Sequence, residues 1–432
     1  MLKGPQGPTW YIPMVYLKSS VGYLPGSVVD NRTWSQRKGL DTMLHGGDAL
    51  ERAGGVSFRR VWDADVARPL HVLSAQAARL VTRSPPRRLL HASTTPEATS
   101  PATAHRVHGA LGLPPTTAAC DVTSSCTSAL MALGLAAHDD LVVAAEAKSR
   151  HVAVGDGRTA ALFGDASIAM RVATTPAPAT LWLEPFVDTE LADNIRVVTQ
   201  EDGHQRLVMA NGKLMFRRTV AAFITMIERA LVTAETSGWT LARVYVHQAS
   251  GPLLAEVKRH FPSLFVPVLI GDIGNTVAVS LPLHRLRVLT LLALEKACPG
   301  LADAADPTDR QALLRRVHQR YVVKDFDPSA GIGAAGLSCR YGDENLVVLD
   351  GAAADGDLGS SWLARVTPRE WQRFFAELRL PAAGGTREGR PLAEAWIGAG
   401  GGFQALGFVA QLPGGSQRNC GQPELLEAAQ WS

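Results

Sequence analysis

The chain has 432 residues, of which 46% are hydrophobic and 19% charged, and its formal net charge at pH 7 is +3. This composition excludes wholesale disorder, and so mild a charge without long like-charged runs argues against nucleic-acid binding. The five cysteines lack CxxC spacing, so neither a disulfide framework nor a zinc pattern is expected, and a reducing cytoplasm fits. The most apolar stretch, residues 288–294, is too short to span a bilayer, so we expect no integral membrane segment.

Short strands alternate with helices along the first half of the chain. Strand-like runs occupy residues 56–62, 88–92 and 141–145, and Ala- and Leu-rich runs typical of helices occupy residues 70–82 and 102–111. Strands that alternate with helices of this length predict an α/β fold with a buried sheet. A length of 432 residues exceeds one simple core and predicts either one large double-core domain or two domains with an appendage.

Cys126 stands in the stretch around which the chain is organised. Small Ser and Thr residues flank it on both sides, and an apolar run follows at residues 129–137. This pattern predicts a tight turn that opens a helix, where the helix dipole and free backbone N–H groups favour a thiolate, the nucleophilic form of cysteine. A small buried cysteine at a packed helix start is the alternative interpretation.

The second half repeats this outline after a long helical pattern at residues 216–236. A strand at residues 243–246 runs into His247, and another at residues 264–270 runs into a turn that contains Asn275. In open α/β sheets, ligand sites form where strands end and helices begin. A single His or Asn there is often a structural or capping residue, but three polar groups at comparable places, with Cys126, indicate a shared site.

Ordered sequence blocks resemble the ketoacyl-ACP synthase III branch of the thiolase superfamily. The resemblance runs from about residue 20 to residue 286, and although each block is weak alone, the ordered set is specific. The blocks are the nucleophile turn at residues 121–129, Phe163-Gly164-Asp165, His247-Gln248-Ala249, Gly274-Asn275-Thr276 with its continuation to Pro282, and the smaller match Tyr23-Leu24-Pro25.

The resemblance implies a thiolase-type, five-layered αβαβα fold with two related halves, in a homodimer. The implied halves are residues 1–172, with the nucleophile, and residues 173–342, with His247 and Asn275. Residues 343–432 form an extension or insertion that could supply the last core strand. Relatives end in a Gly-rich turn that lines the acyl site, and this chain offers two candidates, residues 331–336 and residues 400–403.

The resemblance also implies a mechanism. Cys126 takes an acyl group from acyl-CoA or from acyl carrier protein. His247 and Asn275 then donate hydrogen bonds to a malonyl thioester and stabilise the enolate as carbon dioxide leaves. The backbone N–H of Cys126 contributes to an oxyanion hole. No cofactor is expected beyond the CoA- or phosphopantetheine-linked substrates, and no step requires a metal.

Further residues match positions that contact substrates or partners in the family. Arg52 resembles an arginine that contacts the CoA nucleotide. The substrate-binding set is completed by Ser250, Gly274 and Phe216. The basic residues Arg217, Lys258 and Arg259 fall near positions that dock acidic acyl carrier protein, although solvated helix faces explain them equally well.

Departures from the family pattern keep other functions open. Ser250 replaces an asparagine that contacts pantetheine, and Ser128 replaces a glycine. Residues 59–66 also resemble the olefin-pathway thiolases, which join two acyl-CoAs head to head with a glutamate base; the aligned residue here is Ser100, with Glu97 nearby. Acyl transfer to a hydroxyl or amine is a third option, with His247 as the base. The non-enzyme alternative is a supporting subunit without activity of its own.

Overall fold

A computed structural model describes residues 15–40, 47–62, 68–82, 84–174, 180–201, 203, 205–297, 312, 335–341, 344–353, 361–366, 386–387, 389–400 and 404–412. The strands are β1 (Val15–Leu24), β2 (Ser27–Asp30), β3 (Phe58–Val61), β4 (Arg88–Ala92), β5 (Ala118–Val122), β6 (Leu141–Glu146), β7 (Ala166–Thr174), β8 (Thr180–Val187), β9 (Ile195–Thr199), β10 (Gln205–Met209), β11 (Thr240–Val246), β12 (Ala335–Tyr341), β13 (Glu344–Asp350), β14 (Thr386–Arg387), β15 (Arg390–Gly400) and β16 (Gln404–Gln411). The α-helices are α1 (Asn31–Arg37), α2 (Asp48–Gly54), α3 (Leu70–Ala78), α4 (Thr103–Ala110), α5 (Ser128–Leu135), α6 (Gly157–Ala160), α7 (Gly212–Thr236), α8 (Gly251–His260), α9 (Ser280–Ala297) and α10 (Trp362–Arg365).

The first sheet has the strand order β12-β13-β1-β7-β6-β4-β5. Strand β4 pairs in parallel with both β5 and β6, while β7 runs antiparallel to β6 and to β1. Every residue of β6 is buried, as expected for a strand covered on both faces. Strand β5 lies at the edge of the sheet, and Cys120 on it is exposed.

The second sheet has the order β11-β15-β16-β8. Strands β11 and β15 are parallel, and the other two pairings are antiparallel. The prediction of a strand over residues 264–270 is wrong in extent. Only a single bridge, between Arg243 and Phe265, joins this segment to β11. The extended chain there instead turns into short 3-10 segments that lead to Asn275.

Helices α5 and α9 lie between the two sheets. Their apolar side chains share one cluster with residues from both sheets, including Leu130, Leu289, Val142 and Trp396. Helices α3 and α4 pack on the outer face of the first sheet, and α7 and α8 on the outer face of the second. The resulting order is helix, sheet, helix, sheet, helix, which confirms the predicted five-layered αβαβα architecture.

Helix α9 is apolar around most of its circumference because it forms part of the central layer. The window Val277–Leu294 has 18 residues and a mean hydropathy of 1.5, so by length and composition alone it could cross a membrane. Since 94% of that window is buried inside the fold, its apolar character is explained by core packing.

Strands from the last 100 residues enter both sheets. Strand β13 pairs in parallel with β1, and β12 forms the outer edge beside it. Strands β15 and β16 occupy the middle of the second sheet. Of the two Gly-rich candidates, residues 331–334 and 401–403 lie outside the described residues, while Gly336 belongs to β12 and Gly400 ends β15.

A buried ion network joins these late strands to the central helix. Arg285 of α9 contacts Glu344 of β13 and Glu394 of β15, each at 2.7 Å. Glu344 also accepts a hydrogen bond from Ser20 of β1, and its pKa is raised by burial. The guanidinium of Arg285 stacks over the ring of Trp396, with 4.9 Å between the guanidinium carbon and the ring centroid. The network therefore fixes the position of α9 between the sheets.

Candidate active site

Cys126 lies in a strained turn immediately before α5. Ser125 has a φ of 51°, in the left-handed region that residues with a side chain seldom adopt. The hydroxyl of Ser128 accepts a hydrogen bond from the backbone N–H of Ser124 (2.8 Å) and donates one to the carbonyl of Ser125 (2.6 Å). The hydroxyl of Thr127 donates to the carbonyl of Ser124 at 2.7 Å. Small hydroxyl residues thus hold the turn by local hydrogen bonds, and Ser128, where the family pattern predicted glycine, is one of them.

The end of β15 passes directly against the thiol. A Cβ atom built on Gly400 would lie 2.5 Å from both Cβ and Sγ of Cys126, so only glycine fits at this position. Of the two Gly-rich candidates, the segment beginning at Gly400 is therefore the one that reaches the thiol in the described part of the chain. The contact brings together residues 274 positions apart in sequence.

His247 follows β11 and is held from its backbone. Its N–H donates to the carbonyl of Ile397 in β15 at 2.9 Å. The imidazole is 1% exposed, and burial lowers its pKa to about 3, so the ring is neutral at physiological pH. Within the described residues, Nδ1 of the ring has no hydrogen-bond partner.

Gln248 fixes the loop that carries His247. Its side-chain amide donates to the carbonyls of Val246 and Pro267, each at 3.1 Å, and its carbonyl accepts from the N–H of Leu269 at 2.9 Å. Its own backbone N–H donates to the hydroxyl of Ser280 at the start of α9. Because Gln248 satisfies its polar atoms inside the protein, its role in the block is structural.

Asn275 is held by the loop that contains Phe163 and Gly164. Its backbone N–H donates to the carbonyl of Leu162 at 2.8 Å, and its carbonyl accepts from the N–H of Gly164 at 3.2 Å. Its side-chain amide donates to the carbonyl of Ala249 at 3.3 Å and accepts from the N–H of Val277 at 2.8 Å. The side chain is therefore fixed toward the loop of His247.

Glycines allow this close approach of two loops. Gly274 has a φ of 84°, and a Cβ atom there would lie 3.0 Å from the backbone of Leu162 and Gly164. Asp165 anchors the other loop, since it accepts hydrogen bonds from the N–H of Trp62 and from both the N–H and hydroxyl of Ser149. The sequence blocks around residues 163–165 and 274–276 are thus two sides of one interface.

Cys126, His247 and Asn275 line the same cavity, which has a volume of about 530 Å³. Its wall is mainly apolar, and the buried members of that wall include Phe163, Leu207, Met215, Leu253 and Val277. A cavity of this size and character suits an acyl chain together with part of a pantetheine arm. The three residues that the sequence pattern grouped are therefore placed on one surface.

The other predicted site residues are spread more widely. Ser250 and Phe216 line the cavity, whereas Arg52 is exposed on α2 beside Ala53, which does line it. Gly274 contributes backbone geometry and is not among the described residues of the wall. Of the three basic residues, Arg217 lines a neighbouring cavity with Phe216. Lys258 and Arg259 lie on α8, where Arg259 pairs with Glu256.

Glu97, the glutamate nearest to the predicted position of the base for head-to-head condensation, is held by contacts with His71 and Arg106. Glu97 accepts a hydrogen bond from the N–H of His71 at 2.6 Å and contacts the ring of His71 and the guanidinium of Arg106. Neither Glu97 nor Ser100 is among the described residues that line the cavity.

Lys148 is a cavity residue that no sequence motif predicted. This side chain lines the cavity but is only 5% exposed, and its ammonium donates to the hydroxyl of Thr94 at 3.1 Å. Burial lowers the pKa of Lys148, while the negative charges of Glu146 and of the Cys126 thiolate act in the opposite direction. A lysine two residues after the buried strand β6 was the available signal, since such a position seldom carries an unpaired charge.

Sequence and structure comparisons find similar proteins among the ketoacyl synthases. The chain is 30% identical over 277 residues to a β-ketoacyl-[acyl-carrier-protein] synthase III of Streptomyces coelicolor, covering 60% of this chain and 80% of that protein. It is 29% identical over 292 residues to an acetoacetyl CoA synthase of Streptomyces sp. CL190, covering 60% and 85%. The crystal structure of a 3-oxoacyl-(acyl-carrier protein) synthase from Burkholderia xenovorans superposes with a TM-score of 0.61 at 18% identity, covering 92% and 94%. No protein-family profile matches the chain.

Proposed function

Because the chain belongs to the β-ketoacyl-[acyl-carrier-protein] synthase III family of condensing enzymes, we propose that it catalyses a decarboxylative Claisen condensation through Cys126. The thiolate of Cys126 attacks an acyl thioester, the C–S bond to the carrier breaks, and the acyl group becomes bound to the enzyme. A malonyl-type thioester then loses carbon dioxide, and its enolate carbon attacks the acyl carbonyl. The new C–C bond forms as the Cys126 thiolate leaves.

The observation that carries this proposal is the meeting of Cys126, His247 and Asn275 in one cavity. Because burial keeps His247 neutral, its ring carries a single N–H group. That group can donate a hydrogen bond to the thioester oxygen and stabilise the enolate without protonating it. The amide of Asn275 is a second donor toward the same region. Preorganised donors of this kind are worth on the order of 3 kcal/mol each in a water-excluded site.

Substrate delivery is part of the proposal. The cavity mouth carries the exposed cations Arg158 and Arg196, and Arg217 lies beside it. Positive charge there suits the phosphates of CoA or of a phosphopantetheine arm, and also an acidic carrier protein. We propose both acyl-CoA and acyl carrier protein as donors.

A homodimer is the proposed assembly. Strand β5 ends the first sheet, and its exposed residues Ala118 and Cys120 leave that edge accessible to a second strand. Asp121, also on β5, accepts hydrogen bonds from the backbone N–H groups of Thr103 and Ala104, which tie the edge strand to the start of α4. Strand β5 itself ends at Val122 and runs directly into the turn that contains Cys126. Pairing at this edge would therefore support the nucleophile turn.

The test follows the mass of the intact protein. We expect an acyl adduct after mixing with acyl-CoAs, its absence in Cys126→Ala, and its discharge with release of carbon dioxide on addition of malonyl-CoA or malonyl-carrier protein. His247→Ala and Asn275→Ala should still load the acyl group but release carbon dioxide at least about 100-fold more slowly.

The remaining outcomes separate the alternatives. An adduct that malonyl donors leave intact, but that a second acyl-CoA or an alcohol or amine discharges, would replace the proposal by head-to-head condensation or acyl transfer. No adduct from any CoA- or carrier-bound donor would favour a supporting subunit.

A further inference from the structure

Lys148 is a buried cation in the wall of the cavity that the condensation mechanism does not use. Its ammonium has three N–H donors, and among the described residues only the hydroxyl of Thr94 accepts one of them. The side chain shares the cavity with Cys126 and is close enough for the two to interact electrostatically. The ammonium therefore shares one cavity with the thiol that would carry the acyl group.

A hydrogen-bond relay through the hydroxyl of Thr94 connects Lys148 to Glu146. The hydroxyl of Thr94 accepts from Lys148 and donates to a carboxylate oxygen of Glu146 at 2.9 Å. The same carboxylate accepts from the N–H of Thr94 at 2.8 Å and from the hydroxyl of Thr95 at 3.1 Å. Although burial raises the pKa of Glu146, three donors favour its ionised form, and an ionised Glu146 favours a charged Lys148. Thr94, which connects Lys148 to Glu146, also lines the cavity.

The charged side chains in the described part of the cavity wall are all basic. Lys148, Arg158 and Arg196 are its charged members, and no Asp or Glu belongs to the described part of the wall. Arg158 and Arg196 are exposed at the mouth, whereas Lys148 is buried. The mouth cations suit a carrier phosphate, which leaves Lys148 without an assigned ligand.

We propose that Lys148 forms a subsite for a carboxylate at the far end of the acyl group carried by Cys126. The inference rests on the proposed acyl-enzyme function and names its substrate class, an acyl thioester with a terminal carboxylate. A methyl end placed against this ammonium would remove it from water without giving it a partner, which is costly. A carboxylate end supplies charge-assisted hydrogen bonds to the ammonium donors that no described residue accepts.

The experiment compares acyl donors of equal length that differ only at the end of the chain. The pairs are butyryl-CoA with succinyl-CoA and valeryl-CoA with glutaryl-CoA, and the readout is the initial rate of adduct formation on Cys126, followed by intact mass. In the wild-type protein we expect the carboxylate member of at least one pair to load about tenfold or more faster than its methyl partner. Lys148→Met should remove or reverse that preference, and Lys148→Arg should retain part of it.

Controls separate specificity from folding and from thiol activation. Since Lys148→Met leaves Glu146 buried without its cation, the double variant Glu146→Gln/Lys148→Met is measured beside it, with circular dichroism as the folding check. Equal wild-type rates within both pairs would overturn the subsite while leaving the acyl-enzyme proposal standing. Equal slowing of all four donors in the folded Lys148→Met and double variants would also overturn the subsite. Such a result would indicate that Lys148 activates the thiol of Cys126 and does not bind the end of the acyl chain. Failure of all four acyl groups to load Cys126, both from CoA and from a carrier protein, would overturn the proposed function and the subsite together.

Discussion

Replacement of Gly400 by alanine tests whether β15 positions the nucleophile. A Cβ at this position would lie 2.5 Å from both Cβ and Sγ of Cys126, about 1 Å closer than an ordinary carbon contact. Either the thiol or the end of β15 must move by about that distance. Since a 1 Å misplacement of a reacting group costs on the order of 100-fold in rate, we expect Gly400→Ala to load acyl groups about 100-fold more slowly.

Gly398 offers a matched control two residues earlier in the same strand. A Cβ there would lie 3.0 Å from methyl groups of Leu130 and Thr127, which are side-chain ends that can shift by a few tenths of an ångström. Gly398→Ala should therefore load within a few-fold of the wild-type rate. The assay is the initial rate of adduct formation by intact mass, with thermal unfolding as the folding check. A folded Gly400→Ala protein that loads as fast as Gly398→Ala would refute the reasoning.

Three further predictions concern stability and assembly. Because the pKa of His247 is about 3 in the fold and about 6.5 when unfolded, its contribution to the free energy of unfolding falls as pH drops below 6.5, by about 2 kcal/mol at pH 5. In urea unfolding, the free energy of unfolding of His247→Gln should fall correspondingly less between pH 8 and pH 5 than that of the wild type. An identical pH dependence of the two proteins would contradict this. Arg285→Met should cost about 3–5 kcal/mol because it leaves Glu344 and Glu394 buried without a cation, whereas replacing all three by apolar residues of similar size should restore much of the loss. Cys120→Lys on the edge strand β5 should dissociate the proposed homodimer in light-scattering measurements; an unchanged mass, or a monomeric wild type, would disprove the β5 interface.

Local sequence patterns were sufficient for the parts of the site that depend on local geometry. The small residues around Cys126 predicted a tight turn before a helix, and Ser128 and Thr127 close that turn through bonds to residues three or four positions away. The strand that ends at Val246 and the turn before α9 were likewise readable from apolar runs and their boundaries. The five-layered fold followed from the order of the blocks.

Other features could not be predicted, because they depend on which distant segments pack together. The strand expected at residues 264–270 has the apolar composition of a strand, but only Phe265 finds a partner, in Arg243. Strand β13 lies beside β1, more than 300 residues away in sequence, and no local signal specifies that pairing. Pairing is decided by tertiary packing, to which local strand propensity is subordinate.

The sequence by itself determined the nucleophile turn, the main helices and the identity of Cys126, His247 and Asn275 as one group, since these rest on short-range backbone preferences and on ordered motifs. Only the tertiary structure decided that Gly400 rather than Gly336 faces the thiol, and that Lys148 lies in the cavity wall above Thr94 and Glu146. Steric exclusion and burial arise only when separate layers come into contact. A glycine or a lysine acquires its role at the site from what the fold places against it.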